Sequence, residues 1–249
     1  MRGGFVETGR PSRISPRLRA SAITTRMRLA ERGSMAEPQG SLVRLVHRPA
    51  FGWRRRHVFG ALRLRRAAAQ HSCAEAVLLM RYAEGAEVVV ELGVAEGGSA
   101  AELRSVMSPS GELHLVDPYE PGTLGISMAR IVAHRIVDGV RGGRVNWVRA
   151  RSDQAVRDWR GGIDFLFIDA DHSYDRAVSD WHLWSPHVRE GGHVALHDSV
   201  VFDGGWTSEQ SGPVRLLGEI RTNELEWKLQ DQADSLSVLR RTQTTAAVS

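Results

Sequence analysis

Apolar positions beyond residue 85 follow two alternating rhythms. Short β-branched runs take turns with longer stretches at helical spacing. The runs are "EVVVEL" (87–92), "ELHLVD" (112–117), "RVNWVRA" (144–150), "IDFLFID" (163–169) and a strand inside "GGHVALHD" (191–198). Between them lie "GGSAAELRSVM" (97–107), "GISMARIVAHRIVDGV" (125–140), "SDQAVRDW" (152–159) and "SYDRAVSDWHLWSPHV" (173–188), the last broken near Pro186. "GPVRLLGEIRT" (212–222) reads as a further helix, and "EWKLQ" and "SLSVLRR" as two closing strands. Continuous apolar runs suit strands buried on both faces of a parallel sheet. The alternation predicts an α/β fold with a doubly wound, mostly parallel, Rossmann-like sheet of seven strands. The two late strands, with no full helix between them, predict an antiparallel edge.

The pattern weakens toward the N-terminus. Residues 67–84, "AAAQHSCAEAVLLMRYAE", read as a helix stopped by Gly85. "SLVRLVHRPAFGWRRRHVFGALRLRR" (41–66) mixes apolar and Arg residues, and predicts a basic amphipathic helix serving as a packing element or lid. Residues 1–40 show no sustained periodicity and are expected to be disordered, as are residues 242–249. The expected organisation is thus a basic extension (1–40), N-terminal helices (41–84), a catalytic domain (85–241) and a short tail (242–249).

Charge sharpens this division. Residues 1–66 hold sixteen Arg and three acids, a balance of +13 against +4 for the whole chain, which leaves −9 for residues 67–249. The basic character therefore belongs to the extension. Such an arm could bind nucleic acid, an anionic membrane or an acidic partner, or act as a transit peptide. A plainer reading is favoured. Lys228 is the one Lys beside 32 Arg, which suggests a GC-rich coding sequence, and Met35 is the expected start. An acidic domain without basic–aromatic patches argues against a nucleic-acid substrate. No stretch has the ~18 consecutive apolar residues of a membrane span. Cys73 is the only cysteine, so disulfides and Cys-based zinc sites within one chain are excluded, and a cytoplasmic, reducing setting is expected. Self-association is left open.

In a doubly wound sheet, ligands bind beyond the carboxyl ends of the strands. The first end reads "VVVELGVAEGGSAAEL". Glu91 closes the strand, Gly93, Gly97 and Gly98 follow, and Ser99 stands where a helix cap is expected. A dinucleotide site wants G-x-G-x-x-G, but the slot two after Gly93 holds Ala95, and Glu91 and Glu96 flank the loop. An acid-flanked cradle suits a neutral or cation-bearing ligand better than a pyrophosphate. S-adenosylmethionine, with its ammonium, sulfonium and ribose hydroxyls, is such a ligand. Asp117, closing the second strand, can accept both ribose hydroxyls. Ser152 and Asp153, behind the third strand, can meet an adenine edge.

"ELGVAEGGSA", "LVDPYEPG", "DFLFIDADHSYD" and "GGHVALHDS" together resemble a class I S-adenosylmethionine-dependent methyltransferase. More narrowly they resemble the small-molecule O-methyltransferase group that includes macrolide-sugar methyltransferases and cephalosporin-hydroxylase-like proteins. The resemblance covers roughly residues 70–240. It implies that Glu91, Gly93, Gly97 and Ser99 line the cofactor's methionine end, with Asp117 at the ribose, Ser152 near the adenine and Asp169 beside the cofactor.

Asp169 and Asp198 end the fourth and fifth strands and should be neighbours on one rim. Two carboxylates there suit Mg²⁺, which would hold a substrate oxygen and lower its pKa. Related metal-dependent enzymes use acids at these two ends with an amide or acid beside the latter. Here Ser199 and His197 stand instead, and Asp171 is the further metal candidate. His172 is expected to be the general base. Asp175 and Asp180 are expected to face solvent, and His182, His187 and His193 to be surface or satisfied residues. Trp181 and Trp184 are expected in packing. The loop "VVFDGGWTSEQSGP" (200–213) is expected to contact a small-molecule substrate. A nicotinamide-dependent oxidoreductase, a metal-independent methyltransferase and a non-catalytic binding protein are the competing readings.

Overall fold

The computed structural model describes residues 46–47, 68–122 and 125–242. Of the segments expected to be disordered, residues 1–40 and 243–249 lie outside the described residues, as does nearly all of the expected 41–66 helix, whereas Thr242 is described and its amide donates to the Glu226 carbonyl. Within that segment Val46–His47 (β1) is a strand, paired in parallel with Ala68–Ala69 (β2). The helix expected over 67–84 is accordingly shorter. It is α1, Cys73–Ala83, and it starts where Ser72 forms a capping box with Glu75. The Ser72 hydroxyl accepts from the Glu75 amide, and the Glu75 carboxylate accepts from the Ser72 amide, so two otherwise orphaned donors are satisfied.

The alternation beyond residue 85 builds the sheet as expected. Strands β3 (Val88–Leu92), β4 (Glu112–Val116), β5 (Arg144–Val148), β6 (Ile163–Ile168) and β7 (Val188–Leu196) are joined by α2 (Gly98–Val106), α3 (Met128–Asp138), α4 (Ser152–Ala155) and α5 (Tyr174–Trp184). After α6 (Gly212–Asn223), strands β8 (Trp227–Ala233) and β9 (Leu236–Arg241) form a hairpin. The seven-stranded sheet runs β5-β4-β3-β6-β7-β9-β8. Its first five strands are parallel, and β9 is antiparallel to both β7 and β8.

Each central strand feeds two apolar layers. On β3, Val89 packs on one face with Leu79, Leu103, Val137 and Phe167. Val90 and Leu92 pack on the other with Trp181, Trp184, Leu217 and Ile220. Trp181 and Trp184 are core residues, as expected. Strand order reverses between β3 and β6, so the crevice for a ligand opens at the carboxyl ends of these two strands.

Candidate active site

The turn after β3 is fixed by close approach. Gly93 has φ +85°, and a Cβ there would lie 2.1 Å from the Asp169 carbonyl oxygen. Only glycine lets the ends of β3 and β6 come this close. Two amides of the same turn, Val94 and Ala95, donate to one Asp117 carboxylate oxygen at 2.9 and 3.1 Å. The other oxygen accepts from the Tyr119 amide at 2.7 Å. Asp117 thus braces the cradle, and the oxygen bonded to Tyr119 keeps a lone pair for a further donor. Tyr119 sits at φ +45°, a strained value for a bulky residue, with its hydroxyl buried and without a partner among the described residues.

Glu91 lies beneath the turn, fully buried. One oxygen accepts from the Ser99 hydroxyl, while the other has no partner among the described residues. Burial drives its pKa well above the ordinary carboxylate range. The Ser99 hydrogen bond opposes that rise, and the nearby carboxylates Asp169, Glu102 and Asp117 add to it. A buried acid ringed by acids is a poor neighbour for an anion and a good one for a cation.

A cavity of about 1290 Å³ opens over this cradle. Gly93, Ser99, Asp117, Ser152, Asp169 and His172 all line it. Glu91 and Gly97 do not line it. Glu91 lies below the wall. Gly97 starts α2 at φ +80° and turns its bare Cα to Ala133 and Val137, where a Cβ would lie 3.0–3.2 Å from them. Its role is helix packing. Ser99 is within α2 rather than at its cap, which is Gly97.

The second cluster follows from strand register. Ile168 of β6 pairs with Leu196 of β7, so the residues just beyond, Asp169 and His197, are side by side, with Asp198 next. His197 Nδ1 lies 3.0 Å from Asp169 Oδ1 and 3.5 Å from Asp198 Oδ2. His172 Nε2 lies 2.6 Å from Asp198 Oδ2 and 3.8 Å from Asp169 Oδ1. One ligand atom from each of Asp169, His172, His197 and Asp198 falls within 4.8 Å of the others. Asp198 takes φ +53°, a value acids tolerate better than most residues.

Behind this group stands Glu75 of α1, 3.6 Å from His197 Nε2. Its other oxygen accepts from the Ser235 amide and hydroxyl in the β8–β9 turn, at 2.9 and 2.6 Å. Ser199 joins the same turn, donating from its amide to the Ser235 carbonyl and from its hydroxyl toward Ser237. Burial works against charge on His197, but Asp169, Asp198 and Glu75 outweigh it and lift the imidazole well above its usual pKa. Burial likewise opposes charge on Glu75, yet His197 and the hydrogen-bond donors bring its pKa down to about 2. Neither His197 ring nitrogen has an aligned hydrogen bond among the described residues, and neither does Asp198 Oδ1. The hydrogen bond from His172 to Asp198 raises the His172 pKa, against the opposing effect of burial.

Asp169, Asp198 and His172 are therefore brought together as the sequence predicts, and Asp171 is not. Asp171 is exposed, and its Oδ1 accepts from the Ser173 amide at 2.8 Å, bracing the start of α5. Asp175 is exposed as expected, but Asp180 is not: it is 3% exposed and accepts from the Ser152 hydroxyl. His182 is exposed, and His193 is half-buried against Tyr82. The sequence reading passed over His197 and Glu75. Strand parity could have found the first, since His197 continues β7 in step with Asp169 on β6.

The loop after β7 is built rather than loose. Thr207 donates to the Val200 carbonyl at 2.6 Å, and Gly205 gives the Phe202 ring room that a Cβ would take. Trp206 is left 53% exposed, its ring centroid 6.3 Å from that of His197.

Residues 90–199 match a family model described as a methyltransferase domain. Protein R132 of Acanthamoeba polyphaga mimivirus is 27% identical over 114 residues, which are 44% of this chain and 50% of that protein. The chain thus spans about half the length of this curated relative. Among solved structures, the O-methyltransferase TomG of Streptomyces achromogenes, in complex with SAM and involved in tomaymycin synthesis, superimposes with a TM-score of 0.56 at 17% identity, over 76% of this chain and 89% of that one. An O-methyltransferase of Bacillus cereus in complex with SAH gives 0.50 at 17% identity, over 68% and 82%. Residues 90–199 thus resemble a methyltransferase domain, and the chain shares the fold of these two O-methyltransferase structures. The resemblance read from its four strand ends holds at that level. Among the described residues no helix is long and apolar enough to cross a membrane.

Proposed function

We propose that this chain transfers the methyl group of S-adenosylmethionine to a hydroxyl of a small molecule, with a divalent cation at the Asp169–Asp198 rim. The observation that carries the reading is one continuous cavity over the Gly93 cradle, with Glu91 buried beneath its wall and Asp169 and His172 in its lining. The orphaned Glu91 oxygen and the cradle at Gly93 fit a ligand bearing an ammonium and a sulfonium. The cofactor supplies an electrophilic methyl group. A divalent cation, where bound, supplies Lewis acidity to the acceptor oxygen.

Asp169, Asp198 and His197 are the residues that would hold such a cation, since Asp198 Oδ1 and the His197 nitrogens are without aligned partners. His172, with a side chain 52% exposed, then faces the acceptor. It takes the hydroxyl proton while Asp198 orients its ring. The protein's further task is placement of the oxygen in line with the methyl group. The half-bare Trp206 offers an apolar face on which the body of the acceptor rests. The balance of −9 on residues 67–249 supports a small acceptor over a polyanion.

Calorimetric titration of S-adenosylhomocysteine and NAD⁺ into the full chain tests this. Binding of the first alone is expected; binding of NAD⁺ alone would sink the proposal. Turnover unchanged by EDTA would remove the cation from it.

A further inference from the structure

Resting on the proposed cofactor, we infer that Asp180 selects the adenine base by accepting a hydrogen bond from its exocyclic amino group. Asp180 stands on α5 and is 3% exposed, yet it lines the same cavity as Asp117 and Ser152. Its Oδ1 accepts from the Ser152 hydroxyl. Ser152 opens α4 directly beyond β5, and its carbonyl accepts from Trp184 Nε1 at 3.3 Å. Two elements therefore hold the carboxylate in place.

The fold alone gives little reason for a carboxylate here. Asp180 is in step with Ala177, Trp181 and Trp184 on the buried face of α5, where an apolar residue would pack. No cation lies within ion-pairing distance of it among the described residues; Arg176 instead reaches Asp153 at 3.7 Å. An unpaired buried acid is costly unless something satisfies it. Its Oδ2 makes no hydrogen bond among the described residues. Burial raises its pKa, against the Ser152 hydrogen bond and the Arg176 charge.

The topology supplies the donor. Asp117 ends β4 and Ser152 begins just past the end of β5, the next strand outward. A nucleoside whose ribose meets Asp117 extends its base toward Ser152 and Asp180. Adenine presents an amino group at C6, which a carboxylate accepts. Hypoxanthine presents a carbonyl there, whose lone pairs would face those of Asp180. A polar site built for a donor rejects the analogue lacking one.

The test compares S-adenosylhomocysteine with S-inosylhomocysteine by calorimetry on the full chain. The wild type is expected to prefer the adenosyl compound by roughly 10²-fold. Asp180→Asn can turn an amide donor toward the C6 oxygen, so the preference should shrink to about tenfold or less. Ser152→Ala, which keeps the carboxylate, should retain most of the preference. A merely structural Asp180 would weaken both ligands equally in Asp180→Asn and leave the ratio unchanged, which overturns the assignment. If Asp180→Asn does not fold, the wild-type ratio decides: a value near one overturns the inference, and one near 10² supports it. A wild type that binds neither compound overturns the cofactor reading, and the assignment with it.

Discussion

The two halves of the rim handle their acids in opposite ways. On the β3–β4 side, Glu91 is buried among other carboxylates, and desolvation pushes its pKa well above the usual carboxylate range. On the β6–β7 side, Asp169 and Asp198 stand against two imidazoles, and Glu75 closes the group from behind. Asp198 is held well below its usual range by His172 and His197, although burial pulls the other way. One half lacks positive charge and favours a ligand that brings it. The other sets its carboxylates directly against His172 and His197 and so offsets their charge from within the chain. An acid's surroundings, more than its identity, set its task.

The contrast can be broken at its joint first. Gly93→Ala puts a Cβ on the Asp169 carbonyl at a positive φ, and should cost on the order of 4 kcal/mol of stability in denaturant unfolding. A loss below about 1 kcal/mol would mean that the two halves are not packed against each other as described. Asp198→Asn acts on one half alone. Asn tolerates φ +53°, so the backbone stays, and turnover should fall by roughly 10²-fold or more while S-adenosylhomocysteine still binds.

Glu91→Gln probes the other half through pH. The raised pKa of Glu91 means that the folded protein keeps a proton which the unfolded chain releases near pH 4.5. Its contribution to stability is full below that pH and is lost as pH rises through the folded-state pKa. The variant has no such loss. Its melting temperature relative to the parent should climb by a few degrees between pH 4 and pH 8, even as its affinity for S-adenosylhomocysteine drops. A constant offset would show that Glu91 titrates normally. The smallest effect is expected for Asp171→Ala, which removes only a brace on α5: about 1 kcal/mol or less, with metal dependence intact.

Much of this was legible in the residue pattern. Strands buried on both faces leave unbroken apolar runs, so β3 through β7 and the rim acids at their ends could be read directly. The antiparallel edge followed from two runs with no helix between them. What escaped was set by three-dimensional register. His197 looks like a mere neighbour of Asp198 in the residue string, and only the Ile168–Leu196 pairing puts it beside Asp169. Glu75 comes from a helix outside the strand-end pattern, and nothing local marks it as facing His197. The charge of Asp180 points to solvent, but its spacing from Ala177 and Trp184 puts it on the buried face. The α1 start was misplaced because Ala-rich sequence reads as helix until a capping box overrules it.

The turn between β8 and β9 bears on how the protein is made. Ser235 holds Glu75, and the Ser199 beside the rim acids is bonded to Ser235 and Ser237. A growing chain can therefore lay down the cradle, the cavity and both rim acids and still lack a finished site. The His197 environment closes only when residue 237 has been added and the hairpin has folded back. Until then the Glu75 and Ser199 side of that environment lacks its partners.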